Sequence, residues 1–263
     1  MQIANQAQIT SAKRVVVKVG SSSISGKNAH QIDLLVTALA EMHERGTEIV
    51  LVSSGAIATG IPFLKLDDRP TDLATQQAAA AVGQNVLIYR YQESLDRFKI
   101  VAGQVLLTAG DLENPTHRSN AERAMDRLLG LRILPIVNEN DTVATHEIRF
   151  GDNDHLAALV ARLIGADVLV LLSDVDAIYT KPPQEAGAER VHRVEYGDRL
   201  AGIAFGERDV SSVGTGGAAT KVAAAQLAAA AGTPVLVTSA ALVASALRGD
   251  DIGTWFAAAP LGE

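Results

Sequence analysis

The sequence predicts an α/β fold with a buried, mainly parallel central sheet, and three observations carry that prediction. Short β-branched runs alternate with longer stretches of helical spacing along the chain. The runs are apolar throughout rather than every second residue, as in strands covered on both faces. With 263 residues and 48% hydrophobic content, the chain can bury a large core and sits near the upper size of a single α/β domain.

Taken in order, Val15-Val16-Val17 is the first strand. Ile32, Leu35, Val36, Leu39 and Met42 then recur at helical spacing, Gly46 closes that helix, and Ile49 to Val52 returns as a strand, which makes a βαβ unit. Asp72 to Phe98 reads as one long helix or two in sequence, interrupted only by Gly83. Its small residues, Ala78 to Val82, suit close packing inside the fold or against another subunit. Strands follow at Ile100 to Leu107 and at Ile133 to Val137, and a helix from His155 to Ile164 leads to the strand Val168 to Leu172. Lys181 to Gly187 is a surface loop by composition, and Val191 to Tyr196 a short strand or hairpin arm. An alanine-rich helix from Ala218 to Ala231 precedes the last strand, Val235 to Val237. A single domain over 1–263 is expected, with 1–12 as a flexible start.

Composition excludes several functions. The net charge is −7, the pI about 5.4, and no basic run exceeds Lys13-Arg14, so no nucleic-acid footprint is present. The absence of cysteine removes disulfides and thiolate metal sites and fits a cytoplasmic setting. The start lacks a signal-peptide pattern, and no run approaches the roughly 18 apolar residues of a membrane span. The six histidines, His30, His43, His117, His146, His155 and His192, show no ligand spacing; His155 stands out only for its place beside an acidic turn.

Two such turns follow each other closely, Asn138-Glu139-Asn140-Asp141 and Gly151-Asp152-Asn153-Asp154, and read as opposite walls of one polar pocket. Carboxylates and amides at strand ends suit a ligand with an ammonium group, which needs several acceptors in fixed places; an amino acid is the candidate. Lys18 ends the first strand and meets Gly20-Ser21-Ser22-Ser23, where phosphate oxygens could be held, although the spacing is not that of a Walker A loop. Ser53-Ser54-Gly55 follows the second strand, with Ser54 either a helix N-cap or a ligand contact. Gly214-Thr215-Gly216-Gly217 before Lys221 reads as a nucleotide loop, with Ser173-Asp174 a further contact at the same sheet edge. Two lysines beside glycine-rich segments, with carboxylates at strand ends, point to phosphoryl transfer without a strong base. A carboxylate acceptor explains why none is needed: with a reference pKa of about 4.3 it is already ionised at neutral pH.

These residues together resemble the amino-acid kinase family over nearly the whole chain. The marks are Val16-Val17-Lys18-Val19-Gly20-Ser21-Ser22, Val52-Ser53-Ser54-Gly55-Ala56-Ile57, Ala81-Val82-Gly83-Gln84, Gly103-Gln104-Val105-Leu106-Leu107-Thr108, the two acidic turns, and Gly214-Thr215-Gly216-Gly217. The pair of acidic turns resembles the glutamate-phosphorylating branch. The resemblance implies a three-layer α/β/α sandwich and ATP-dependent transfer, with Mg²⁺ on the phosphates, to the γ-carboxylate of L-glutamate, the first step toward proline. Kinases of acetylglutamate or UMP on the same fold, or a binding protein without chemistry, are the alternatives.

Residue by residue, it implies that Lys18 and Lys221 flank the migrating phosphoryl group and that Asp154 holds the two lysines. Ser54, Asp141, Asp152 and Asn153 would hold glutamate. Lys18, Ser173, Asp174, Thr215, Gly216, Gly217, Ala218, Ala219, Thr220 and Lys221 would hold ATP, and no residue is expected to be a resident metal ligand. Proline feedback, a homo-oligomer and hand-off to a glutamyl phosphate reductase belong to the same expectation. The chain departs from the family pattern at Ala177 and Ala218, where glycine and methionine are usual. It ends at Glu263, where many relatives continue into a PUA domain, so a kinase domain alone is expected.

Overall fold

The computed structural model describes residues 2–65, 70–144, 153–198, 200, 203 and 217–260. In chain order the elements are β1 (Arg14–Val19), α1 (Ser21–Ile24), α2 (Gln31–Glu44), β2 (Glu48–Val52), α3 (Ala56–Gly60), α4 (Leu73–Asp96), β3 (Ala102–Leu107), α5 (Ala109–Glu113), α6 (Pro115–Gly130), β4 (Leu134–Glu139), α7 (Asp154–Leu163), β5 (Val168–Ser173), β6 (Arg193–Val194), α8 (Ala218–Ala230), β7 (Val235–Ser239), α9 (Val243–Arg248) and β8 (Thr254–Phe256). The sheet runs β3-β4-β2-β1-β5-β7-β8-β6. Its pairs are parallel except β7 with β8.

Strand alternation divides the core in two. Val15, Val17 and Val19 of β1 join Leu35, Leu39, Leu87 and Tyr91 on the layer of α2, α4 and α9. Val16 faces the other way, with Met125, Leu156, Val160, Ala225 and Ala228 on the layer of α6, α7 and α8. These are the two helical layers of the expected α/β/α sandwich.

The long helix is single: α4 runs 24 residues from its N-cap Asp72, whose carboxylate accepts from the Thr75 N–H. Gly83 interrupts no hydrogen-bonding pattern; it permits contact between backbones. A Cβ there would lie 1.8 Å from the Ala56 carbonyl oxygen, and one on Gly60 would lie 1.9 Å from that of Ala79. Only hydrogen fits at these two positions, which press α3 and the turn before it onto α4.

Elsewhere the structure departs from the sequence reading. The chain start is packed rather than flexible: Ile3 and Ile9 are buried, residues Gln6–Ser11 form a 3₁₀ helix, and the Gln6 amide exchanges hydrogen bonds with the Ile252 backbone. Helices α5 and α6 were not anticipated. They begin at a Thr108/Asp111 capping box and at an Asn114 N-cap followed by proline, but α6 buries only Met125 and Leu129, too thin a stripe to register as periodicity. Nor were α9 and β8, which complete the far side of the sheet. After Lys18, β1 ends at Val19 and Gly20 caps the short helix α1, so a helical turn stands where a loop is expected.

Candidate active site

The order of the sheet places the site. From β1 the chain passes to β2 on one side, whereas α7 carries it from β4 across to β5 on the other, so the strand order reverses around β1. Ligands bind α/β sheets at the carboxyl ends of strands beside such a reversal. Lys18 is the last but one residue of β1 and lies an even number of positions from Val16, so it projects toward α7 and α8. Asp154 opens α7, where a carboxylate is favoured by the helix dipole. Lys221 sits in the first turn of α8, where a cation opposes that dipole, a placement that packing alone does not reward.

These three side chains meet. Lys18 Nζ is 2.5 Å from Asp154 Oδ1, and Lys221 Nζ is 3.1 Å from Asp154 Oδ2. Lys18 is 1% exposed, Lys221 7% and Asp154 0%. One carboxylate thus spaces two buried ammonium groups, one on each oxygen. Desolvating such ions is costly, and two ammonium groups brought together at one sheet edge suit an anionic ligand beside them.

The neighbouring surface is built from neutral amides. The Asn153 side-chain amide donates to the Ser53 carbonyl and, at 2.6 Å, to Asn138 Oδ1. Asn138 Oδ1 also accepts from the Glu139 N–H at 2.9 Å, which fixes its orientation and turns its own amide toward Gln84 Oε1 at 2.6 Å. Ser53 is tied in turn to Tyr91, with the two hydroxyls 3.0 Å apart. Burial pushes the Tyr91 hydroxyl far above its ordinary pKa, so it stays protonated, although its bond to Ser53 acts the other way. The two acidic turns therefore do converge, through Asn138 and Asn153.

Beside this network is a cavity of about 270 Å³, lined by Ala56, Gln84, Asn85, Gln104, Glu139 and Asp141 among others. It has the size and mixed lining of a small-molecule site, with two carboxylates suited to an ammonium group and amides suited to a carboxylate. Ser54 Oγ is buried and has no hydrogen-bond partner among the described residues. The helix after it is capped by Gly55 at φ 91°, with no side-chain cap, so the N-cap reading of Ser54 falls and the orphaned hydroxyl fits a ligand contact.

Among the residues expected to hold ATP, Ser173 ends β5, paired beside β1, and its Oγ lies 3.1 Å from Asp174 Oδ1. Gly217 is the N-cap of α8, Ala218 and Ala219 are exposed on its first turn, and Thr220 Oγ1 donates to the Gly217 carbonyl. Asp152, Thr215 and Gly216 lie outside the described residues. His155 is half-buried; burial first, and Arg162 second, lower its pKa, against Glu113. Among the described residues no group of three or more His, Asp or Glu could hold a metal ion.

Sequence reasoning placed Asn138 and Glu139 in a wall of the pocket without giving either a role of its own, quoted Gln84 only as a mark of the family resemblance, and did not assign Tyr91 to the site. Gln84 had left a signal: it falls on the buried stripe Ala80, Gln84, Leu87, Tyr91 of α4, a polar residue on an apolar face.

The model of the amino acid kinase family matches residues 13–239. The chain is 72% identical to a glutamate 5-kinase of Leifsonia xyli subsp. xyli, covering 98% of this chain and 96% of the relative. A glutamate 5-kinase of Streptomyces coelicolor is 55% identical over 93% of this chain and 67% of that protein. Among solved structures, carbamate kinase from Giardia lamblia bound to AMP-PNP superposes with a TM-score of 0.69 over 95% of this chain and all of its own, at 15% identity, a likeness of fold.

Proposed function

The chain belongs to the amino acid kinase family, and we propose that it transfers the terminal phosphoryl group of ATP to the γ-carboxylate of L-glutamate, the glutamate 5-kinase reaction. The product is γ-glutamyl phosphate, which starts proline biosynthesis. The observation that carries the chemistry is Asp154 shared by two buried lysines at the sheet's carboxyl edge.

A γ-carboxylate oxygen attacks the γ-phosphorus, the bond from that phosphorus to the β,γ-bridging oxygen breaks, and ADP departs with the electron pair. No proton moves, so no general base is required. Catalysis is then positioning and charge stabilisation. Lys18 and Lys221 stabilise the charge on the transferring oxygens, and Asp154 keeps the two ammonium groups apart and aimed. Mg²⁺, when bound with ATP, neutralises phosphate charge; Ser173 Oγ and the Asp174 carboxylate are hard oxygen donors of the kind it accepts.

Glutamate would lie in the adjoining cavity, its ammonium toward Asp141 and Glu139 and its carboxylate ends toward Ser54 and the amides. Acetylglutamate has no ammonium and would set an amide against those carboxylates. Asp152, Thr215 and Gly216 keep their assigned roles in this reading. A homo-oligomer, proline feedback and a cytoplasmic location accompany it; no described helix is long and apolar enough to cross a membrane. Because an acyl phosphate is open to attack by water, a reductase that consumes it is the expected neighbour.

The test is ADP release with ATP and Mg²⁺, with hydroxylamine trapping any acyl phosphate, for glutamate, acetylglutamate, aspartate and UMP in parallel. Hydroxamate formed from glutamate alone supports the reading. Release with a different acceptor instead overturns the pocket assignment. Adding proline to the same assay tests feedback, which a flat inhibition curve would remove.

A further inference from the structure

We propose that Gln84 is a positioning residue for this phosphoryl transfer, acting through Asn138 on Asn153 and so on the α7 terminus that carries Asp154; the proposal rests on the reaction proposed above. The path is continuous. Gln84 Oε1 accepts from the Asn138 amide at 2.6 Å, Asn138 Oδ1 accepts from the Asn153 amide at 2.6 Å, and Asn153 immediately precedes the aspartate that holds both lysines.

Each link has its alternatives removed. Asn138 Oδ1 takes two donors, the Asn153 amide and the Glu139 N–H, so Asn138 cannot flip without losing both. The Asn153 amide gives both of its hydrogens, one to Asn138 and one to the Ser53 carbonyl. Asn153 is also the N-cap of α7 but makes no side-chain cap bond, so this amide pair, rather than the usual capping geometry, sets its side chain. The chain is anchored on a helix that cannot shift independently, because α4 meets α3 backbone to backbone at Gly83 and Gly60.

Gln84 is also where the chain meets the ligand space. It is 8% exposed, lines the cavity, and its Nε2 donates to nothing among the described residues. Gln84 thus borders the cavity while its Oε1 holds Asn138. A carboxylate entering the cavity can accept from Nε2 and thereby hold the amide with Oε1 toward Asn138, the orientation the chain needs. Substrate occupancy and the seating of Asp154 are linked through it.

The test combines kinetics with a readout independent of turnover. Gln84→Met removes both amide functions at similar length. Its kcat for glutamate-dependent hydroxamate formation should fall about 10- to 100-fold, the usual cost of losing a group that orients another, while the KM for ATP stays within about twofold. In the double variant with Asn138→Ala, the loss should equal that of Asn138→Ala alone, since both act on one path. Fully multiplicative losses, or a Gln84→Met enzyme as fast as wild type, overturn the proposal.

The second readout is hydrogen exchange of the Asn153 side-chain amide in ¹⁵N-labelled protein. It should be slow in wild type, fast in Gln84→Met, and still slow in Gln84→Glu, which keeps an acceptor for Asn138. Unchanged exchange in Gln84→Met overturns the linkage whether or not glutamate is the substrate, whereas failure of wild type to phosphorylate glutamate defeats only the proposed reaction.

Discussion

The Lys18–Asp154–Lys221 trio and the Gln84–Asn138–Asn153 chain meet at consecutive residues, Asn153 and Asp154, yet they are made of opposite materials. The trio is ionic and comes from the α7/α8 side of the sheet; the chain is neutral and hangs from α4 on the other. A phosphoryl group carries charge that must be met by charge, and burying ions multiplies their effect. Orienting a substrate and a helix end needs directional groups instead, and primary amides provide a donor and an acceptor in one plane. The comparison implies that damage to the trio appears almost wholly in kcat, whereas damage to the amide side appears in glutamate affinity or stability and, where it reaches Asn153, in a smaller loss of kcat.

Apart from loss of the shared carboxylate itself, the largest expected effect breaks the ionic half. Lys221→Ala should lower kcat about 10²- to 10³-fold, as loss of a charge-stabilising group does, and leave glutamate binding by calorimetry nearly unchanged. A matching loss of glutamate affinity would mean that the two halves are not separable.

Next is Gly83→Ala, which places a methyl 1.8 Å from the Ala56 carbonyl oxygen. Overpacking of this kind costs about 1–3 kcal/mol, visible as a lower thermal midpoint, and displacement of the turn at Ser54 should raise the KM for glutamate more than that for ATP. Equal changes in both would place the turn nearer the nucleotide.

Ser54→Ala sharpens the contrast because its hydroxyl is buried with no partner among the described residues. Removing it should raise the glutamate KM by roughly fivefold, about 1 kcal/mol, without lowering stability, since no bond to a described residue is lost. Loss of stability with unaltered KM would return Ser54 to a structural role.

The smallest effect is expected from Tyr91→Phe, which deletes the hydroxyl bonded to Ser53. A cost of about 1 kcal/mol lowers the midpoint of a protein this size by about 2–4 °C, with kcat unaltered. A large loss of turnover would extend the positioning chain to Tyr91.

The ionic half was legible in the sequence because each member stands at a strand end or helix start within a short motif: Lys18 before Gly20, Asp154 after Asn153, Lys221 after Gly217. The parallel strands β1, β2, β4, β5 and β7 were legible for the same reason, as apolar runs bounded by turns. The amide half was legible only in part: Asn138 and Asn153 lie in the two acidic turns, but their link through Gln84 depends on which face of α4 turns toward β4, and one glutamine in an alanine-rich helix does not say. Helices α5 and α6 escaped because a half-exposed edge needs little apolar surface, and β8 because three residues carry no period. The packed start depends on contacts more than 240 residues away, between Gln6 and Ile252.

Asp154→Asn tests the central claim most directly, with ATP and glutamate binding measured by calorimetry beside hydroxamate formation in a single turnover. Asparagine keeps the shape and one acceptor but removes the charge that balances two buried lysines. The account predicts that both substrates still bind within about tenfold while turnover falls by about 10³ or more. Turnover within tenfold of wild type, with the fold intact, would contradict it.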